Sequence, residues 1–261
     1  MSAMTTTRGE RTAYARIELR RTLRNVVAMF FVVGLPGFMY LLFGASAGYS
    51  QERAGNGNVA LYVMISMAAY GAVTATVGIG GSAAVERMQG WGRQLGLTPL
   101  RDSTYVATKA LVALAVAALP ILVVYVLGLL TGAEGTPGAW LGSAVILVVG
   151  ALLFALYGLV FGLAFRSEAA VSAASGSLVV LGFLGNIFFP LSGVLLDVAR
   201  FTPLYGYVSL ARYPLTEGSV IDADGNLASE ALWMSVANVA AWTTILAVLA
   251  TWLVRRSRGR Q

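Results

Sequence analysis

From one charged residue to the next, the chain shows six long stretches without charge: 25–51, 54–85, 110–133, 135–165, 169–196 and 231–254. Each exceeds the roughly 20 residues a helix needs to cross a hydrocarbon core about 30 Å thick. Membrane-spanning strands would read as alternating segments of about 10 residues. Runs such as ALVALAVAALPILVVYVLGLL and GALLFALYGLVFGLAF show no alternation. Lipid offers the backbone no hydrogen-bond partners, so apolar runs of this length fold as helices. The pattern predicts an all-α membrane protein, a single membrane domain over 1–261, with spans near 25–47, 59–85, 105–130, 138–165, 169–190 and 231–254.

The connecting segments are not uniform. Before the first span, Ala15, Leu19, Thr22, Leu23 and Val26 recur at helical spacing, with Arg16, Arg20, Arg21 and Arg24 on an adjacent face. This predicts an amphipathic helix over 8–24 that lies along the interface and snorkels its guanidiniums into headgroups or a partner. The turn residues of AGNGNVA place the start of the second helix near Asn58 or Val59. After that helix comes a hydrophilic loop, ERMQGWGRQLGLTPLRDSTYVATK, in which Gly90, Gly92 and Gly96 interrupt helix. Thr98 and Pro99 read as an N-cap and first helical residue, opening the third span. Arg166, Ser167 and Glu168 make a tight turn, whereas segment 191–230 mixes aromatics, prolines and apolar residues. Short interfacial or re-entrant helices fit that segment, because irregular backbone at membrane depth survives only when buried or wet. Gly158 and Gly162 form a GxxxG that serves either a dimer or packing within the chain.

Composition supports the bilayer as main solvent: 57% of residues are hydrophobic and 11% charged, against about a quarter charged in soluble domains. With six spans, Arg8, Arg11, Arg16, Arg20, Arg21 and Arg24, then Arg87, Arg93, Arg101 and Lys109, then Arg166, then Arg255, Arg256, Arg258 and Arg260 share one side. Those are fifteen of the 18 basic residues, leaving Arg53, Arg200 and Arg212 on the other. Both termini are therefore expected in the cytoplasm. The same bias accounts for the net charge of +6 through membrane lipids, without nucleic acid. Cysteine and histidine are absent, which excludes disulfides, thiolate metal sites and imidazole-based hydrolysis. No metal site, resident cofactor or catalytic residue is expected. The polar N-terminal stretch shows no cleavable leader pattern.

The loop carries the most specific signal. Its Glu86 and Arg87, then Gly90, Leu95, Thr98 and Pro99, resemble the permease subunits of type-2 ABC exporters. The basic helix before the first span, the six spans and the broken outer segment look like the same family, with Leu191-Ser192-Gly193 and Thr202-Pro203-Leu204 as outer landmarks. Gly90-Trp91-Gly92-Arg93 departs from the family's usual step by being basic and aromatic. The resemblance implies a permease of a bacterial cytoplasmic membrane that pairs with a second copy or a related chain and with a separate ABC ATPase. Segment 86–98, Trp91 included, would form the coupling helix seated in that ATPase. ATP and Mg would bind there, since a P-loop needs GxxxxGK[ST] and the single lysine, Lys109, precedes Ala110.

The span interiors lack ionisable groups, which argues against ion coupling and suggests a route for drug-like, antibiotic or lipid-like amphiphiles. Tyr70, Thr74, Thr76, Phe183, Asn186 and Phe188 are the candidates to line it. For Asn186, an interhelical hydrogen bond is the plainer reading. A stand-alone multidrug carrier or channel, and a scaffold or immunity protein without transport, are the competing function classes.

Overall fold

The computed structural model describes residues 8–86, 102–165, 168–221 and 227–258. Helix α1 (Arg8–Leu23) precedes α2 (Val26–Ala45), α3 (Val59–Glu86), α4 (Asp102–Leu130), α5 (Pro137–Phe165) and α6 (Glu168–Leu184). Two short helices, α7 (Gly193–Ala199) and α8 (Pro203–Thr216), lead to α9 (Leu232–Arg258). The only sheet among the described residues is two small antiparallel hairpins, β1 (Arg53–Ala54) with β2 (Gly57–Asn58), and β3 (Ser219–Ile221) with β4 (Leu227–Ser229). Among the described residues, five helices are long and apolar enough to cross a membrane. The chain is thus an all-α, multi-pass membrane protein.

The fifth predicted span, 169–190, is helical only as far as Leu184. Beyond it Asn186 adopts φ 54°, a left-handed conformation that ends a helix. Its side-chain Oδ1 accepts from Leu191 N at 3.1 Å, which fixes the turn that follows. Helix α1 also differs in detail from its prediction. Ala15, Leu19 and Thr22 are half-buried, but Leu23 and Val26 are exposed. The helical face is interrupted because α1 stops and Asn25 caps a new helix, accepting from Ala28 N at 3.1 Å. Within α2, π-helical turns at Phe30–Gly34 and Leu41–Ala45 flank Pro36. Proline supplies no backbone donor, so the hydrogen-bond ladder must shift around it.

Helix α3 is the axis of the bundle, and its residues dominate the buried core. Close approach of α5 is made by glycine. A Cβ on Gly158 would strike the Val77 carbonyl oxygen, and one on Gly80 the Ala155 carbonyl oxygen. Gly162 sits against Ala84 and the Gly81 backbone. The GxxxG of α5 is therefore consumed by packing inside the chain.

Where α3 begins, Asn58 joins three segments. Its Oδ1 accepts from Leu61 N and Glu134 N, both at 3.0 Å, and its Nδ2 donates to Gln51 Oε1 at 3.1 Å and to Gly132 O at 2.9 Å. Nearby, Asn56 N donates to Leu215 O at 2.7 Å. Helix α8 is thereby held to the same rim, capped at its start by Thr202 with Pro203 following. It buries Leu204, Tyr207, Val208, Ala211 and Leu215 against the bundle, and Tyr207 donates to Leu147 O at 2.7 Å.

A cavity along the second spanning helix and its charged end

From Met64 to Glu86 every residue of α3 is buried except Thr74, Gly78 and Ser82. These three lie at steps of four, on one helical face. Tyr70 continues the line towards the α8 end and Glu86 towards the α1 end. Thr74, Gly78, Ser82 and Glu86 line one cavity of about 590 Å³. Its other walls come from α1, from Met29, Phe31 and Val32 of α2, from Val116 of α4, and from Val171, Ser172 and Ser175 of α6. The space is of the size that houses drug-like ligands. A Cβ on Gly78 would meet nothing within 4 Å, so this glycine leaves the cavity open rather than admitting a neighbouring helix.

At the α1 end the cavity closes on a cluster of charges from three helices. Glu86, the last residue of α3, has Oε1 3.1 Å from Arg21 Nη1 of α1 and Oε2 2.8 Å from Lys109 Nζ of α4. Lys109 Nζ also reaches Glu18 Oε1 of α1 at 2.5 Å. The side chains of Lys109, Glu86 and Glu18 are 7%, 9% and 12% exposed, whereas that of Arg21 is 67% exposed. The cluster thus has a buried lysine shared by two carboxylates and a guanidinium on the outside. Such pairs are costly to desolvate, and removing one partner strands the other. Leu19 packs nearby on the cluster of Val32, Ala75, Ile79, Val112, Ala113 and Val116, so α1 is fastened by both apolar and ionic contacts.

The sequence-derived candidates fall into different places. Tyr70 stands edge-on to Phe188 at 5.1 Å between ring centroids, and Phe183 stands edge-on to the same ring at 5.1 Å. Those three form one aromatic group between α3 and the end of α6. Thr74 lines the large cavity while its hydroxyl donates to Tyr70 O at 2.8 Å. Thr76 is fully buried and donates to Ala72 O and Val73 O, both at 3.1 Å, away from the cavity. Asn186 is 4% exposed and spent on the turn after α6. Of the candidate arginines, Arg21 joins the charge cluster, whereas Arg16 and Arg20 of α1 and Arg24 just beyond it are exposed. Arg87, Gly90, Trp91, Leu95, Thr98 and Pro99 lie outside the described residues, as does nearly all of the coupling segment 86–98.

One charged residue was missed. Arg212 of α8 is 5% exposed and drives its guanidinium against α3. Its Nε and Nη2 donate to Ser66 Oγ at 3.1 and 2.6 Å, and Nη2 also reaches Asn186 O at 2.8 Å. The Tyr62 ring lies 4.0 Å from the guanidinium carbon, a cation–π contact that partly replaces water. The signal was present, because Leu204, Val208, Ala211 and Leu215 set an apolar face of α8 that Arg212 borders. Close by, Glu230 accepts from Arg200 Nε and from the Tyr205 hydroxyl, both at 2.7 Å. Burial first, and then that donation, raise the Tyr205 hydroxyl above the usual phenol range, so it stays a donor.

Apolar spanning helices that line a partly open cavity fit a multi-pass membrane protein. No protein-family model matches the chain. The chain is similar to the "Putative transport permease YvfS" of Bacillus subtilis (strain 168), at 25% identity over 198 residues, covering 74% of this chain and 80% of the relative. That similarity bears out the resemblance to permeases read from the sequence.

Proposed function

We propose that this chain is the membrane-spanning subunit of an ATP-driven exporter, working with a separate ATPase and a second permease copy in a bacterial cytoplasmic membrane. The supporting observation is the cluster Glu18, Arg21, Glu86 and Lys109. It ties the basic helix α1 to the end of α3 and the start of α4, the two helices that flank the loop resembling a coupling segment. A push on that loop by a nucleotide-driven partner is transmitted as one body to α1, α3 and α4, and so to the walls of the cavity. Coupling of this kind requires contacts that differ between the two states, and the cavity lined by these helices is where a difference acts on cargo.

In this reading the α6 segment is the fifth of six crossings, its helix completed in depth by the turn at Asn186 and by α7 and α8 packed behind it. The α1 end faces the cytoplasm, as the arginine bias requires. Cargo is amphiphilic: it meets hydroxyls and apolar walls along Thr74, Gly78 and Ser82 and the aromatic group of Tyr70, Phe183 and Phe188 beyond. Drug-like, antibiotic and lipid-like molecules share that chemistry.

The test is reconstitution of the chain in lipid with an ABC ATPase, sought first as a P-loop reading frame next to its own. Co-purification of the two and vanadate-sensitive ATP hydrolysis that depends on this chain are expected. Facilitated flux by this chain alone, with no ATPase bound, would support the stand-alone carrier instead.

A further inference from the structure

We propose that the cavity along α3 takes an amphiphile with a cationic headgroup, which displaces Arg21 from Glu86. The inference rests on the export reading for what the binding is for, and on the cavity itself for the binding. Among the described residues, two carboxylates, Glu18 and Glu86, line the cavity, against one guanidinium, that of Arg21. Lys109 bridges both carboxylates but does not line the space. A ligand therefore meets the carboxylates from the side where, among the described residues, Arg21 opposes it.

That opposition is weak. Arg21 is two-thirds exposed and holds Glu86 by one contact of 3.1 Å, the kind of solvated pair that contributes little. The Lys109 contacts are buried and persist. A cation arriving with an apolar body replaces Arg21 at no loss of charge balance, and Arg21 returns to water or headgroups. The rest of the cavity suits the body of such a molecule: Met29, Phe31, Val32, Ile79 and Val116 are apolar, and Thr74, Ser82, Ser172 and Ser175 offer hydroxyls. An anionic headgroup would face two carboxylates, and a like-charge approach in a half-dry site is strongly disfavoured.

The experiment measures equilibrium binding of two shape-matched probes, tetraphenylphosphonium and tetraphenylborate, to the full chain in phosphatidylcholine nanodiscs, with empty discs subtracted. Saturable binding is expected for the phosphonium and none for the borate. Glu86→Gln is expected to weaken phosphonium binding by about tenfold or more, and Arg21→Ala to tighten it by removing a competitor. Gly78→Leu is expected to abolish binding by filling the cavity in a chain that still folds, because its side chain enters open space. Equal binding of both ions overturns the proposal, as does phosphonium binding indifferent to both Glu86→Gln and Gly78→Leu. Saturable phosphonium binding by a chain that recruits no ATPase keeps the site and overturns the export reading. ATP-coupled export of other cargo without phosphonium binding overturns the site and keeps that reading.

Discussion

Nζ of Lys109 lies 2.8 Å from Oε2 of Glu86, which joins an early turn of α4 to the last residue of α3. The loop between those residues is bracketed by a buried ion pair, and Glu18 of α1 shares the same ammonium. Helices α1, α3 and α4 are thus tied into one unit at this end of the bundle.

Removing the lysine tests that unit. Lys109→Met leaves Glu18 and Glu86 facing each other in a site 7–12% exposed, at a cost of about 3 kcal/mol or more for a stranded buried charge. A lowered unfolding temperature in detergent is expected, with α1 becoming sensitive to trypsin at its arginines. The double variant Lys109→Met with Glu86→Gln removes one charge of each sign and should recover part of the loss. No recovery would show that the two side chains are not coupled.

Arg212 offers a different kind of test, because its partners are neutral: Ser66 Oγ, Asn186 O and the Tyr62 ring. Arg212→Lys keeps the charge but cannot span a hydroxyl and a carbonyl with a planar fork. Arg212→Met removes the charge and leaves Asn186 O without that donor, a cost of about 1–3 kcal/mol. Lysine is expected to be the worse substitution in thermal unfolding, since it retains the desolvation cost and loses the geometry. A lysine variant as stable as the parent would mean that charge, not the fork, matters here.

Much of this architecture was legible in the sequence, and the reasons for the gaps are physical. Charge-free runs locate membrane helices because lipid tolerates nothing else, so α3 begins at Val59 and ends at Glu86 beside the predicted 59–85. The turn after α6 was not legible: apolar residues continue to Pro190, and only the left-handed Asn186 reveals that the helix has ended. Arg212 was assigned to one side by charge counting, a rule blind to a short helix that carries a cation back into the bundle. Glu86 was singled out as a loop residue by motif, but its burial depends on Lys109, 23 positions later, and on α1. The line of Thr74, Gly78 and Ser82 was half legible. Thr74 was chosen for its hydroxyl, but the open face needed α6 and α2 in place to appear.

The last prediction separates two glycines on the same helix. Gly78 and Gly80 are two residues apart on α3, and the sequence alone gives them equal standing. A Cβ on Gly80 would strike the Ala155 carbonyl oxygen, a backbone atom of α5 that cannot rotate aside, whereas a Cβ on Gly78 meets nothing within 4 Å. Gly80→Ala should force α3 and α5 apart along the seam that Gly158 and Gly162 also form, costing at least the 1–3 kcal/mol typical of overpacking. Gly78→Ala should be neutral or stabilising, by up to about 1 kcal/mol, since alanine favours helix over glycine. Thermal unfolding of both variants in detergent checks the pair. Equal effects would mean that α5 does not approach α3 along this face, and the packing of the bundle around its central helix would need to be redrawn.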